Sequence, residues 1–315
     1  MPAIGLGTLA IDGREAVTIA IQSALKLGYR RIDCAPVYFN EHLIGDVLAE
    51  EFQHGRLNRD EVYLTSKLAC PFHQREHVEL ALRKTLSDLR VDYLDLYLIH
   101  WPVAWQPMLQ ALDTTKRGYD NEDIDSSLNG KLIDPSVSVH DTWAGMEGLV
   151  DKGLVKQIGV SNFPVILLHE LMTKSRIPPA VNQVELHPYL QQPKLLKYCR
   201  KRGVHVQAYS PLGTPGLKEE GEPNLLEDPL LSKIAATHGA SVAQICIAWA
   251  LQQGTSVVAK SASPKHQKEN MVNVDGYPTI TLSDKEITEI ESLDRGYRFF
   301  RPDDWWDELA MAVFD

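Results

Sequence analysis

The stretch Gly28-Tyr-Arg-Arg-Ile-Asp-Cys-Ala-Pro-Val-Tyr-Phe-Asn-Glu41 sets the pattern by which the rest of the chain is read. Arg30 to Ala35 reads as a short apolar strand carrying Asp33 near its end. A tight connection follows, with Tyr38 projecting from it, and Asn40 is expected to open a helix as its N-cap. A carboxylate at a strand end with a phenol five residues on is a poor recipe for a core. It suits a site in which a nearby cation keeps the acid charged.

Working outward, strands alternate with helices along the whole chain. Ala3–Thr8 reads as a first strand, where Gly5 and Gly7 allow close backbone approach. Arg14–Leu27 reads as an amphipathic helix with Ala16, Ile19, Ala20, Ser23, Ala24 and Leu27 on its buried face, stopped by Gly28. Helix Asn40–His54, strand Val62–Leu68, helix His73–Leu89 and strand Leu94–His100 continue the rhythm. The last of these strands is apolar enough to be buried on both faces. Residues 101–137 interrupt it with a long polar segment, the natural place for a substrate loop. The alternation then resumes through helix Val139–Lys152, strand Val155–Ser161, helix Val165–Ser175, strand Ala180–Leu186, helix Pro193–Arg202 and strand His205–Pro211. A second irregular segment, 213–228, precedes helices Pro229–His238 and Ser241–Gln252. Strand Thr255–Lys260, helix Lys265–Val274 and a helix Asp284–Leu293 capped by Ser283 complete it, before an aromatic tail over 295–315.

Eight strand-then-helix units with short connections predict neighbouring parallel strands closing on themselves. The expected fold is a (β/α)8 TIM barrel, spanning 1–315 as one domain, with two extra helices and long loops at its C-terminal face. The competing open sheet would be expected to carry a Gly-rich turn, and Gly5-Leu6-Gly7 is not followed by dinucleotide-fingerprint spacing.

Composition narrows the function classes. The chain has 315 residues, 44% hydrophobic and 23% charged, so a large core is expected. A net charge of −10 argues against general binding to nucleic acid or anionic membranes. No apolar run is long enough to suggest a membrane span, no secretory segment is visible, and Cys34, Cys70, Cys199 and Cys246 lie far apart with no metal-ligand spacing. A reduced, cytoplasmic protein fits, and nothing demands more than a monomer.

In such barrels the chemistry sits at the C-terminal strand ends. Asp33, Lys67 and His100 occupy those ends on strands two, three and four, and Tyr38 can lean over them. Each alone has an ordinary reading, as a cap, a solvated cation, a core imidazole or a rim aromatic. Together they make a site. An ammonium about 4 Å from a phenol, at an effective dielectric of about 20, favours the phenolate by about 4 kcal/mol, roughly three pKa units before burial takes some back. Tyr38 is therefore expected to be an acidified proton donor, with Asp33 holding Lys67 charged and His100 orienting a substrate oxygen. No nucleophile with a base and no metal cluster is visible. The site reads as one that gives a proton to a carbonyl oxygen while a hydride, with a nicotinamide as the obvious source, attacks the carbon.

The same residues resemble a known family. Gly-Leu-Gly-Thr (5–8), Gly-Tyr-Arg-Arg-Ile-Asp-Cys-Ala (28–35), Tyr38 with Asn40-Glu41, Ser-Lys-Leu (66–68), Leu-Ile-His-Trp-Pro (98–102), Gly-Val-Ser-Asn-Phe (159–163), Asn-Gln-Val-Glu-Leu-His-Pro (182–188), Ala-Tyr-Ser-Pro-Leu-Gly (208–213) and Lys-Ser (260–261) with Asn270 are similar to the motifs of the aldo-keto reductases. The aldose-reductase-like branch is the nearest. The resemblance implies NADPH/NADP+ as cofactor and reversible reduction of an aldehyde, aldose or ketone, with Tyr38 as acid beside Asp33, Lys67 and His100. It also implies a cofactor site at Thr8, Ser161, Asn162, Gln183, Tyr209, Ser210, Leu212, Thr214, Lys260, Ser261, His266, Glu269 and Asn270. Ser161, Asn162 and Gln183 would hold the carboxamide and Tyr209 would stack on the nicotinamide. Ser210, Leu212 and Thr214 would contact the pyrophosphate from the cofactor-closing loop 213–228, and Lys260, Ser261 and Asn270 would bind the adenosine end.

Four departures stand out. His266 replaces the arginine that clamps the 2′-phosphate in the family, so NADH becomes a possible cofactor. Leu9 and Ala69 replace tryptophans, which predicts a wider, less aromatic pocket on that side. Gly216 and Ala10 replace the acidic and basic residues that latch the cofactor loop. The N-terminal hairpin below the barrel is expected to be missing or very short. Candidates for the substrate wall are His100, Trp101, Trp105 and the tail aromatics Phe299, Phe300, Trp305 and Trp306. The rival function is a cofactor-binding regulatory or structural protein on the same scaffold with little turnover. A barrel isomerase or aldolase lacks a free lysine for a Schiff base, since Lys67 is expected to pair with Asp33.

Overall fold

A computed structural model describes residues 1–113, 118, 133–217, 219–301 and 313–314. Eight parallel strands close into a barrel in sequence order, β1 to β8, with β8 returning to β1. They are β1 (Ile4–Gly7), β2 (Arg31–Asp33), β3 (Tyr63–Leu68), β4 (Leu94–Ile99), β5 (Val155–Ser161), β6 (Val181–Glu185), β7 (His205–Tyr209) and β8 (Ser256–Lys260). Among the described residues the helices are α1 (Arg14–Lys26), α2 (Glu41–Gln53), α3 (Arg75–Leu89), α4 (Val139–Asp151), α5 (Val165–Lys174), α6 (Pro193–Arg202), α7 (Pro229–His238), α8 (Val242–Gln252), α9 (Pro264–Asn270) and α10 (Asp284–Glu291). The two additional helices are α7, inserted before β8, and α10 after it. No single described helix is long and apolar enough to cross a membrane.

The main core lies between the strands and the ring of helices, where residues such as Ile32, Leu64, Tyr97, Trp143 and Trp249 are fully or almost fully buried. Inside the barrel a small apolar layer of Leu96, Leu98 and Val181 fills one side. The floor is closed differently. Arg31 is fully buried, and its guanidinium donates to the carbonyls of Pro2 (2.7 Å) and Val257 (2.8 Å). Burial lowers its pKa to about 10, against the raising influence of Asp33. Gly5 is required there, because a Cβ on it would sit 2.5 Å from the Arg31 Nε.

Several local expectations change. Strand β2 stops at Asp33, two residues early, because Pro36 starts a 3-10 turn over Pro36–Tyr38 and Phe39 takes a left-handed φ of 56°. Asn40 precedes α2 but does not cap it with its side chain. Its amide instead donates to the carbonyls of Thr8 (2.8 Å) and Ile11 (3.1 Å), tying the turn to the end of β1. The buried face of α1 is Val17, Ala20, Ile21 and Ala24, while Ile19 is exposed. Helix α9 ends at Asn270, before Met271 turns to extended backbone. Ser283 does cap α10, within a capping box with Glu286.

Candidate active site

Asp33, Tyr38, Lys67 and His100 meet at the C-terminal mouth of the barrel. Lys67 points inward from β3 and is fully buried. Its ammonium donates to Asp33, to the Cys34 carbonyl (2.9 Å) and to the Tyr38 hydroxyl (3.2 Å), so its three N–H bonds all have acceptors. The other carboxylate oxygen of Asp33 accepts the side-chain amides of Gln183 (2.7 Å) and Gln207 (3.2 Å). Tyr38 comes from the 3-10 turn, with its hydroxyl as the buried end, against Lys67. His100 lies just past β4, its ring edge-on to Tyr38 with centroids 6.0 Å apart. Its backbone N–H continues the ladder to Leu68 at 3.1 Å.

The electrostatics correct one expectation. Burial pushes the Tyr38 phenol up; Lys67 pulls it down, but by less, and the net direction is upward. Tyr38 is thus a neutral hydroxyl through the neutral range rather than an acidified one. Burial also pulls Lys67 down, but Asp33 and Tyr38 together more than offset it and its pKa is raised, so it stays an ammonium. His100 is pushed well below the usual imidazole range by burial, then by Lys67 and His73. A neutral imidazole retains one N–H that can point at a substrate oxygen.

Asp33, Tyr38 and His100 line one cavity of about 1130 Å³, and Lys67 stands behind Tyr38. Every residue assigned to the cofactor from the sequence, from Thr8 at the end of β1 to Asn270 at the end of α9, also lines it. Ser161, Asn162 and Tyr209 form a bonded group on one side. Ser161 Oγ donates to the Gln183 carbonyl (2.9 Å), and Asn162 donates to the His100 carbonyl (3.0 Å). The Tyr209 hydroxyl donates to Asn162 Oδ1 (2.9 Å), which holds the Tyr209 ring at the wall. Asn162, Ser210 and Thr214 take left-handed φ angles of 64°, 49° and 50°, so the chain bends sharply where it meets the cavity. At the far end Lys260, Ser261, Ser263 and His266 supply a cation and hydroxyls, a donor set that fits a phosphate-bearing cofactor tail. Of the residues at the family departures, Leu9, Ala69, Gly216 and His266 line the cavity and Ala10 does not.

Of the candidates for the substrate wall, Trp101, Trp105 and Phe300 line the cavity with His100. Trp101 stacks on His100 (6.3 Å between centroids) and meets Phe314 at 6.2 Å. Phe299 does not reach the cavity; its ring packs edge-on against His187 and Tyr297, each at 5.1 Å. Trp305 and Trp306, and much of the loop 101–137, lie outside the described residues. Sequence reasoning missed Gln207, although its inward position one alternation before Tyr209 was a usable signal. It also missed Glu185, whose signals in sequence were its place at a strand end and within the Asn-Gln-Val-Glu-Leu-His-Pro motif (182–188).

The model of the Aldo/keto reductase family matches residues 3–295. An aldo/keto reductase from a Synechocystis strain is 42% identical over 327 aligned positions, covering 98% of this chain and 94% of that protein. The NADP-dependent D-sorbitol-6-phosphate dehydrogenase of Malus domestica is 38% identical over 308, covering 97% and 94%. Among solved structures, the aldose reductase from Schistosoma japonicum superposes with a TM-score of 0.83 at 37% identity, covering 98% of this chain and 93% of its own.

Proposed function

The chain belongs to the aldo/keto reductase family, and on that premise we propose that Tyr38 is the proton donor when this oxidoreductase reduces the carbonyl group of a small aldehyde or ketone. The observation that carries the assignment is the 3.2 Å contact of the buried Lys67 ammonium with the Tyr38 hydroxyl, at the inner end of the cavity beside His100. A nicotinamide cofactor supplies the hydride when bound. The residues of the chain do the rest. His100, neutral and buried, donates an N–H to the carbonyl oxygen and orients it. Tyr38, neutral until the reaction, gives its proton to that oxygen as negative charge develops. Lys67, held by Asp33, stabilises the phenolate left behind.

NADPH is the proposed cofactor, supported by the name of the Malus relative and by Lys260 and Ser261 at the cavity's far end. With His266 in place of a permanently charged arginine, discrimination against NADH is proposed to be weak. The wall formed by Trp101, Trp105, Phe300, Leu9 and Cys70 favours aldehydes bearing an apolar or aromatic group over polyhydroxylated ones. Steady-state kinetics following nicotinamide absorbance, with both cofactors and a panel of aliphatic, aromatic and sugar aldehydes, tests all three points. No turnover with any member would end the reading. A lower KM for aldoses than for aromatic aldehydes would overturn the substrate class.

A further inference from the structure

We propose that Glu185 is a positioning residue for substrate recognition, acting through Phe300. The proposal rests on the reading of the cavity as a carbonyl-reducing site. Glu185 ends β6, and its side chain is fully buried. A buried carboxylate is tolerated only where hydrogen bonds replace its water. Here they come from His187 and from the C-terminal segment. One oxygen accepts the Phe299 N–H (2.8 Å) and His187 Nε2 (2.8 Å), and the other accepts the Phe300 N–H (3.2 Å).

Gripping two successive N–H groups fixes both the position and the rotation of that backbone. Phe299 then turns into the protein. Its ring meets His187 and Tyr297, and it leaves no room for a side chain at Gly213, where a Cβ would lie 2.8 Å from the ring. Phe300, the next residue, is sent the other way. It packs edge-on against Tyr209 (5.5 Å between centroids) and enters the cavity wall. Upstream, the segment is held independently of Glu185. The N–H groups of Arg295 (3.2 Å) and Tyr297 (3.0 Å) both donate to the Tyr189 carbonyl, and the Tyr297 hydroxyl donates to Glu222 (3.1 Å). Downstream, Arg301 pairs with Glu222 (3.5 Å), so loss of the Glu185 grip lets the Phe299–Phe300 backbone rotate, and the Phe300 ring shift against Tyr209, without releasing the segment.

Two variants of the full chain test this, Glu185→Gln and Glu185→Ala, each also combined with Phe300→Ala. The glutamine keeps the shape but has one acceptor oxygen, and its NH2 group would confront one of the two N–H donors. For an aromatic aldehyde long enough to reach Phe300, KM should rise about tenfold or more. For propanal, kcat/KM should change by less than about threefold, and NADPH affinity by fluorescence titration by less than about twofold. Adding either change to Phe300→Ala should shift the aromatic KM by no more than about twofold, because the two act as one unit. Equal losses for both aldehydes, or effects that multiply with Phe300→Ala, would overturn the assignment. An activity-independent reading comes from ¹⁹F NMR of fluorophenylalanine-labelled protein, with the Phe300 signal identified by its loss in Phe300→Leu. That signal should shift or broaden in Glu185→Gln; an unmoved signal sinks the proposal even if activity falls. A moved signal in a protein that reduces no aldehyde would instead uphold the grip and refute the carbonyl-reducing site.

Discussion

The Lys67 ammonium contacts the Tyr38 hydroxyl at 3.2 Å while its other two protons are held by Asp33 and the Cys34 carbonyl. The lysine therefore cannot swing away from the phenol without abandoning two further buried partners.

Tyr38→Phe removes the transferable proton and the acceptor of one Lys67 N–H. Turnover should fall by about 10²–10⁴-fold, the usual worth of a general acid. Cofactor affinity, read by quenching of protein fluorescence, should stay within about twofold. A variant retaining most of its turnover would remove Tyr38 from the mechanism.

Lys67→Met leaves a buried carboxylate with only the Gln183 and Gln207 amides. Breaking a buried pair from one side costs about 3–5 kcal/mol, and urea unfolding should show a loss of that order. Asp33→Asn added to Lys67→Met should recover most of the stability and none of the activity. Stability losses that simply add in the double variant would mean that the two residues are not a unit.

Three buried groups give stability opposite slopes with pH. Burial lowers His73 to about 3, and burial with Lys67 and His73 holds His100 well down. The unfolded chain protonates these rings below about 6.5 and the folded chain does not, so stability is lost as pH falls from there. Glu41 runs the other way. Burial raises it to about 8, while the unfolded carboxyl ionises near 4.5, so stability is lost as pH rises between those values. Each unit of that window costs at most about 1.4 kcal/mol. Glu41→Gln, which can still accept from Ser66, should therefore gain stability relative to the parent between about pH 5 and pH 8. Parallel stability curves would show that Glu41 is already ionised in the folded protein.

His266→Arg should favour NADPH over NADH. A charge-assisted hydrogen bond contributes about 1.5–3 kcal/mol, which corresponds to about 10- to 150-fold in the ratio of dissociation constants. The affinity for NADH should hardly change. If both cofactors tightened equally, His266 would not face the 2′-phosphate.

Much of this was legible in advance because period and spacing carry it. The strand–helix alternation is local, and so are Asp33, Lys67 and His100 at the ends of consecutive strands. What escaped depends on depth or on distance along the chain. Ile19 and Ile21 are equally apolar in sequence, and only packing decides that Ile21 enters the core. The sign of the Tyr38 shift turns on how much water surrounds its hydroxyl. Gln207 reaches Asp33 across 174 residues and Glu185 reaches Phe299 across 114, separations that no local pattern encodes.

The arginine at the barrel floor has a consequence at the opposite end. Arg31 and Asp33 lie two residues apart on one strand, and Lys67 is paired with Asp33, so charge alternates along the barrel axis as plus, minus, plus. The positive group at the upper end, Lys67, is the one that touches Tyr38. An oxygen turning anionic beside Tyr38 and His100 supplies the next minus. In the proposed reaction the positive end of this column, Lys67, therefore lies nearest the oxygen on which charge develops.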